Sequence, residues 1–175
     1  MSSREKFHPR GNAKDPVHIR RNVEGFDDPY RTEEQLPENS VCRECGNVYI
    51  SGRWCGPDQA ARKPEAAHEV VCPACRKLRD HLPSGVLRLT GQFVLTHKEE
   101  ILNLIRNHTR KADSVNPMER VMSVETQTDG IELTTTNEKL AQRIGKAIHR
   151  AYAGQIEYKW STDNKLARVN WHRDF

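Results

Sequence analysis

The chain has 175 residues, of which 35% are apolar and 30% charged, and its net charge is +4. The apolar share lies below the roughly 45–50% of typical globular chains, so part of the sequence is expected outside any packed core. No apolar run reaches the roughly 18 residues of a membrane span, and the first residues lack the apolar stretch of a secretory signal; a cytoplasmic protein with reduced thiols and no membrane partner is expected.

Residues 1–40 carry four prolines (Pro9, Pro16, Pro29 and Pro37), no helical or strand periodicity, and 7 Lys+Arg against 8 Asp+Glu. Such a stretch buries too little apolar surface to offset its ordering entropy and is expected to be a flexible tail. Residues 41–83 hold the cysteine pairs, separated by the hydrophilic stretch "GPDQAARKPEAAHE".

From residue 84 the pattern changes to that of a packed domain. "VLRLTGQF" places Leu87, Leu89 and Phe93 close to period two and predicts a strand. "THKEEILNLIRNHTRK" predicts a helix, with Thr96 and Glu99 spaced as a capping box and Ile101, Leu102 and Ile105 on one face. Met122 and Val124, then Ile131 and Leu133, alternate around Asp129-Gly130, a hairpin signal. A second helix is predicted from Thr135, capped with Glu138, through the stripe Leu140, Ile144, Ala147, Ile148 and Ala151 to Gly154. "QIEYKW" and "LARVNW" alternate as two last strands around a turn at residues 161–164.

The expected architecture is therefore α+β: a small zinc ribbon over 41–83, then a β-α-β-β-α-β-β domain over 84–175. The latter is expected as an open, mainly antiparallel sheet with both helices on one face. The other face would be polar, carrying Arg88, Thr90, Glu132, Thr134, Glu157, Lys159, Arg168, Asn170 and His172.

Cys42-x2-Cys45 and Cys72-x2-Cys75 enclose a 26-residue spacer. A two-residue gap lets one tight turn supply two thiolates to a tetrahedral ion, and Gly46 and Pro73 suit such turns. The spacer exceeds the usual 15–20 of the motif. A thioredoxin-like pair would need a strand-to-helix setting and one pair alone. The duplicated spacing points to one shared Zn2+, with iron–sulfur or redox use as the alternatives. Cys55 is left over as a small buried side chain or a replacement ligand, and His68 and His81 are further substitutes.

These cysteine stretches, with "VCPACRKLRDHLPSGVLRLTGQF", "NPMERVMSV" and "TTTNEKLAQRIGKAIHRAYAGQIEYKW", resemble a family of uncharacterised bacterial zinc-ribbon proteins. That family is distantly similar to the N-terminal zinc region of the archaeal and eukaryotic adaptor for export of the large ribosomal subunit. The resemblance covers residues 41–172. It implies a zinc-bound module near RNA or ribosomes, with Cys42, Cys45, Cys72 and Cys75 as ligands, and no established activity.

Catalytic motifs for nucleotide, metalloprotease or serine-hydrolase chemistry are absent from the sequence, and a non-enzymatic protein is expected. Asp80-His81 reads as a surface pair. His97 and His108 would stand about 16 Å apart on a helix, too far to share a metal. The expected RNA-binding cations are Arg43, Arg53, Arg76, Lys77 and Arg79 beside the metal, with Arg143, Lys146 and Arg150 along the second helix at i, i+3, i+7. Trp54 is expected either to pack over the metal core or to stack a base, and Trp160 and Trp171 to pack on the sheet. RNA, on the ribosome, is the expected partner; docking of another protein through ribbon and sheet is the alternative.

Overall fold

The computed structural model describes residue 30 and residues 36–59, 68–161 and 166–175. Most of the expected tail, residues 60–67 of the spacer and the turn beyond Ser161 lie outside these residues.

The first sheet is small. Strands β1 (Val41–Cys42), β2 (Val48–Ile50), β3 (Arg53–Cys55) and β4 (Glu69–Val70) run in the order β3-β2-β1-β4. Ser51 and Gly52, both at positive φ (49° and 79°), join β2 to β3, the backbone that a two-residue hairpin requires. β4 pairs parallel to β1 with Cys42 opposite Val70, so the chain crosses back beside its first cysteine pair just before the second. Helix α1 (Pro73–Asp80) follows.

The second sheet comprises β5 (Gly85–Thr90), β6 (Val121–Gln127), β7 (Gly130–Thr135), β8 (Gln155–Trp160) and β9 (Ala167–His172), in the order β6-β7-β5-β9-β8. Three of its four pairings are antiparallel; β5 and β9, at its centre, are parallel. Helices α2 (Gln92–Thr96) and α3 (Lys98–Val115) connect β5 to β6, and α4 (Glu138–Tyr152) connects β7 to β8. Each connection skips at least one strand, giving two split βαβ units that share one sheet.

Alternation sorts the faces. Leu87, Leu89, Ile131, Leu133, Val169 and Trp171 join Val94, Ile101, Ile105, Leu140, Ile144 and Ile148 of the helices in one buried cluster. Each such side chain contributes about 1.5–3 kcal/mol when fully removed from water. Gly145 brings α4 close to the sheet: a Cβ there would stand 2.8 Å from Val169 Cγ1 and 3.3 Å from Leu87 Cδ1. The nine polar residues expected on the opposite face are all half-buried or exposed there, in register across β7-β5-β9-β8. Its cations are partly paired locally, Arg88 with Asp129 at 2.9 Å and Lys159 with Glu157 at 3.1 Å.

Several local expectations need correction. Gly91, at φ 105°, ends β5, and Phe93 belongs to α2, where it stacks on His97 with centroids 3.9 Å apart. Thr96 forms no capping box: its hydroxyl donates back to the Gln92 and Phe93 carbonyls, and His97 precedes α3 without a side-chain cap. Asn137, rather than Thr135, caps α4 by accepting from the Lys139 N–H at 2.8 Å; Thr135 is buried and donates to the Asn137 carbonyl. Gly154, by contrast, ends α4 as expected, at φ 85° directly after the C-cap residue Ala153. The β6–β7 register shifts at Met122, which drops out of the alternation. Trp171 is fully buried with its Nε1–H donating to the Ala153 carbonyl at 2.7 Å, whereas Trp160 is 49% exposed.

Candidate metal centre

Two local structures supply the sulfurs. In the first, Gly46 at φ 75° turns the chain after Cys45, and its N–H donates to the Cys42 carbonyl at 2.8 Å. In the second, Cys72 is the N-cap of α1, Pro73 occupies its first turn, and the Cys75 N–H donates to Cys72 Sγ at 3.5 Å. Proline suits this place because the first helical N–H groups have no partner within the helix.

The β1–β4 pairing closes the two halves together. The Cys72 N–H donates to Cys42 Sγ at 3.3 Å, Cys45 and Cys72 Sγ lie 3.7 Å apart, and all four sulfurs fall within 4.8 Å of one another. Tetrahedral zinc with bonds of about 2.3 Å sets its ligands about 3.8 Å apart, so the spacing suits such an ion. Cys42, Cys72 and Cys75 are buried and Cys45 is half-buried. The donor set is soft and complete, as four-coordinate structural metals require.

Electrostatics favour a cation at the centre. Burial, with the neighbouring sulfurs, pushes the Cys75 thiol up to about 12, and burial raises Cys72 further. At Cys42 burial also acts upward, but N–H groups of Cys72, Cys45 and Glu44 outweigh it and bring the thiol down to about 7. Four sulfurs gathered in a partly dry pocket repel one another as thiolates, and a dication removes that repulsion.

The surrounding shell includes residues that spacing did not reveal. Arg120, just before β6, donates from Nη1 to Cys75 Sγ at 3.5 Å and from Nε to the Pro117 carbonyl at 2.8 Å. Burial lowers its pKa, and the sulfurs of Cys45, Cys75 and Cys72 more than reverse the effect. Met118 and Trp54 pack against the cysteine cluster. Lys77 Nζ donates to Ser84 Oγ at 2.8 Å and to the Thr136 carbonyl at 3.3 Å, tying α1 to the start of the second sheet. The other expected substitutes stand apart from the tetrad. Cys55 is buried with its thiol toward the Arg53 carbonyl, His68 lies near Ser40 Oγ, and His81 terminates α1 at φ 52°. Asp80 accepts from the Tyr30 hydroxyl at 3.0 Å and from Arg79, contacts that hold its carboxyl below the usual range.

The expected RNA-binding cations divide. Arg43, Arg53 and Arg79 are exposed around the metal module, and Lys146 and Arg150 are exposed on α4. Arg76 Nη2 donates to the Tyr30 carbonyl at 2.8 Å, and the Tyr30 ring lies against Arg76 and Lys77. Arg143 is exposed yet forks onto the buried carboxylate of Glu119. Lys77 and Arg143 thus have structural partners that their spacing did not foretell. Among the described residues, no helix is long and apolar enough to cross a membrane.

The fold and site define an α+β chain with a four-cysteine module that could hold a metal ion, packed beside its larger sheet. Comparisons with protein-family models, curated proteins and solved structures give no match.

Proposed function

We propose that this chain is a non-enzymatic cytoplasmic protein whose tetrad holds a structural Zn2+ and whose metal module binds RNA, ribosomal RNA being the kind that the family resemblance implies. The observation that carries this reading is the closed sulfur cage with exposed Arg43, Arg53 and Arg79 around it. Four thiolates leave no open position for substrate, so the ion's role is to build the surface, and the arginines suit phosphate. Lys146 and Arg150 extend the cationic surface along α4.

Sedimentation of cell lysate through sucrose gradients at low and high salt, with and without RNase, tests this reading. The expected result is migration with ribosomal particles that salt or RNase abolishes, with one zinc ion per chain in the purified protein. A zinc-loaded protein that stays at the top under every condition overturns the RNA reading.

A protein-docking adaptor is the second reading, favoured by one observation: the exposed Trp160 on β8, a strand at the edge of the five-stranded sheet. Edge strands offer unpaired backbone groups to another chain. Binding of that kind would resist salt and RNase and fall on Trp160→Ser substitution.

A further inference from the structure

A groove of about 380 Å³ opens on the metal module, lined by Trp54, Val71 and Pro73 on its apolar side and by Arg43, Arg76 and Arg79 as its cations. Three features of this groove belong together. Its lining joins a flat aromatic ring to three guanidinium groups, and among the described residues no carboxylate lines it. Its ring is held from behind, because Trp54 packs on the cysteine cluster and meets Tyr49 edge-on with centroids 5.6 Å apart. And Arg76 Nε is buried without a hydrogen-bond partner among the described residues, although Nη2 of the same group is fixed by the Tyr30 carbonyl. That unsatisfied donor is closed to solvent here, and a small turn of the guanidinium would offer it to a ligand acceptor.

We infer that this groove is a nucleotide-binding subsite for single-stranded RNA, in which a base stacks on Trp54 and the flanking phosphate lies among Arg43, Arg76 and Arg79. The inference rests on the RNA reading above and narrows it to one place and one strandedness. The volume falls in the lower part of the roughly 300–1,000 Å³ of small-ligand sites, the size for one nucleotide unit rather than a folded partner. An indole face accepts any base, and planar guanidinium forks match phosphate oxygens. A paired base keeps its faces inside the duplex stack, so the aromatic side of the groove selects unpaired strands. Arg79 also contacts Asp80 at 3.3 Å and Arg76 donates to the Tyr30 carbonyl at 2.8 Å, which leaves Arg43 as the stronger phosphate contact.

The test uses the zinc-loaded full chain with a fluorescent oligouridylate and a matched RNA duplex, at two salt concentrations. Binding of the single strand is expected, with the duplex at least tenfold weaker. Trp54→Ala should weaken the single strand about 5- to 150-fold, the measured span for losing one stacked base, with its salt dependence unchanged. Arg43→Gln should weaken binding and lower the salt slope by about one. Trp54→Phe, which keeps a ring, should retain most of the affinity, and Lys111→Gln on α3 should bind as the parent. Zinc content, measured on every variant, separates lost binding from lost folding. Photocrosslinking of a 4-thiouridine oligonucleotide to the parent should mark the Trp54 peptide even if Trp54→Ala fails to fold.

Salt-sensitive single-strand binding that survives Trp54→Ala and Arg43→Gln unchanged, with crosslinks elsewhere, overturns the groove and leaves the RNA reading standing. Equal binding of duplex overturns the stacking role. A phosphorylated peptide that displaces the oligonucleotide at comparable concentration makes the groove a phosphopeptide site instead. Absence of binding to either RNA overturns both readings together.

Discussion

Cys72 serves two structures at once: its sulfur caps α1 through the Cys75 N–H and stands 3.7 Å from Cys45 within the tetrad. Serine caps helices well but is a poor zinc ligand, so Cys72→Ser separates the two roles. Metal content, read by elemental analysis, should fall from one ion per chain to well below it. Arg120→Ala leaves all four sulfurs in place but removes the donor to Cys75. Losses of this kind typically reduce metal affinity about 10- to 100-fold, and chelator competition would measure it. Undiminished affinity would mean that the arginine merely packs. The thiols also set a pH dependence. Cys72 and Cys75 are held protonated by burial through the neutral range, so an ion must displace at least two protons. Affinity should therefore rise at least about a hundredfold per pH unit between pH 7 and 8 and fall more steeply on acidification, where Cys42 also takes up a proton. A flat profile would show that the ligands are not those thiols. The cysteines were legible because their pairing in each turn is local. Arg120 and Met118 were not, since forty and more residues separate them from Cys75 and only the tertiary fold brings them near.

At the level of elements, α4 depends on a missing side chain. With Cγ1 of Val169 at 2.8 Å from any Cβ at position 145, Gly145→Val should overpack the helix–sheet contact and destabilise the protein by about 1–3 kcal/mol in urea unfolding. A neutral result would show that the sheet yields easily. The strands of the larger sheet and both long helices were readable from periodicity, because one buried face imposes it, whereas the short strands β1–β4 were not. What failed was punctuation. Thr96 and Thr135 have the right spacing for capping boxes, but each hydroxyl finds a nearer carbonyl. The parallel placement of β9 against β5 was also illegible: an alternating strand reads the same at an edge or at the centre.

Across the whole molecule, the two sheets meet through α1 and the segment before β6, where Lys77 reaches Ser84 and Thr136 and Arg120 reaches Cys75. Metal binding and local folding are coupled when the ion organises so small a sheet. Chelation should therefore strip amide hydrogen-exchange protection from β1–β4 and α1, while β5, β9 and α4 retain most of theirs, since their cluster is self-contained. Uniform loss would mean a single cooperative unit.

The central place of β9 has a consequence for synthesis. Strands β5 and β8 are both completed by residues 167–172, so a growing chain can gather its four sulfurs long before the middle of its larger sheet exists. Until that stretch clears the ribosome, the apolar bed for Trp171 lies open beside two unsatisfied strand edges. The thiol module should thus mature first during translation and the sheet last.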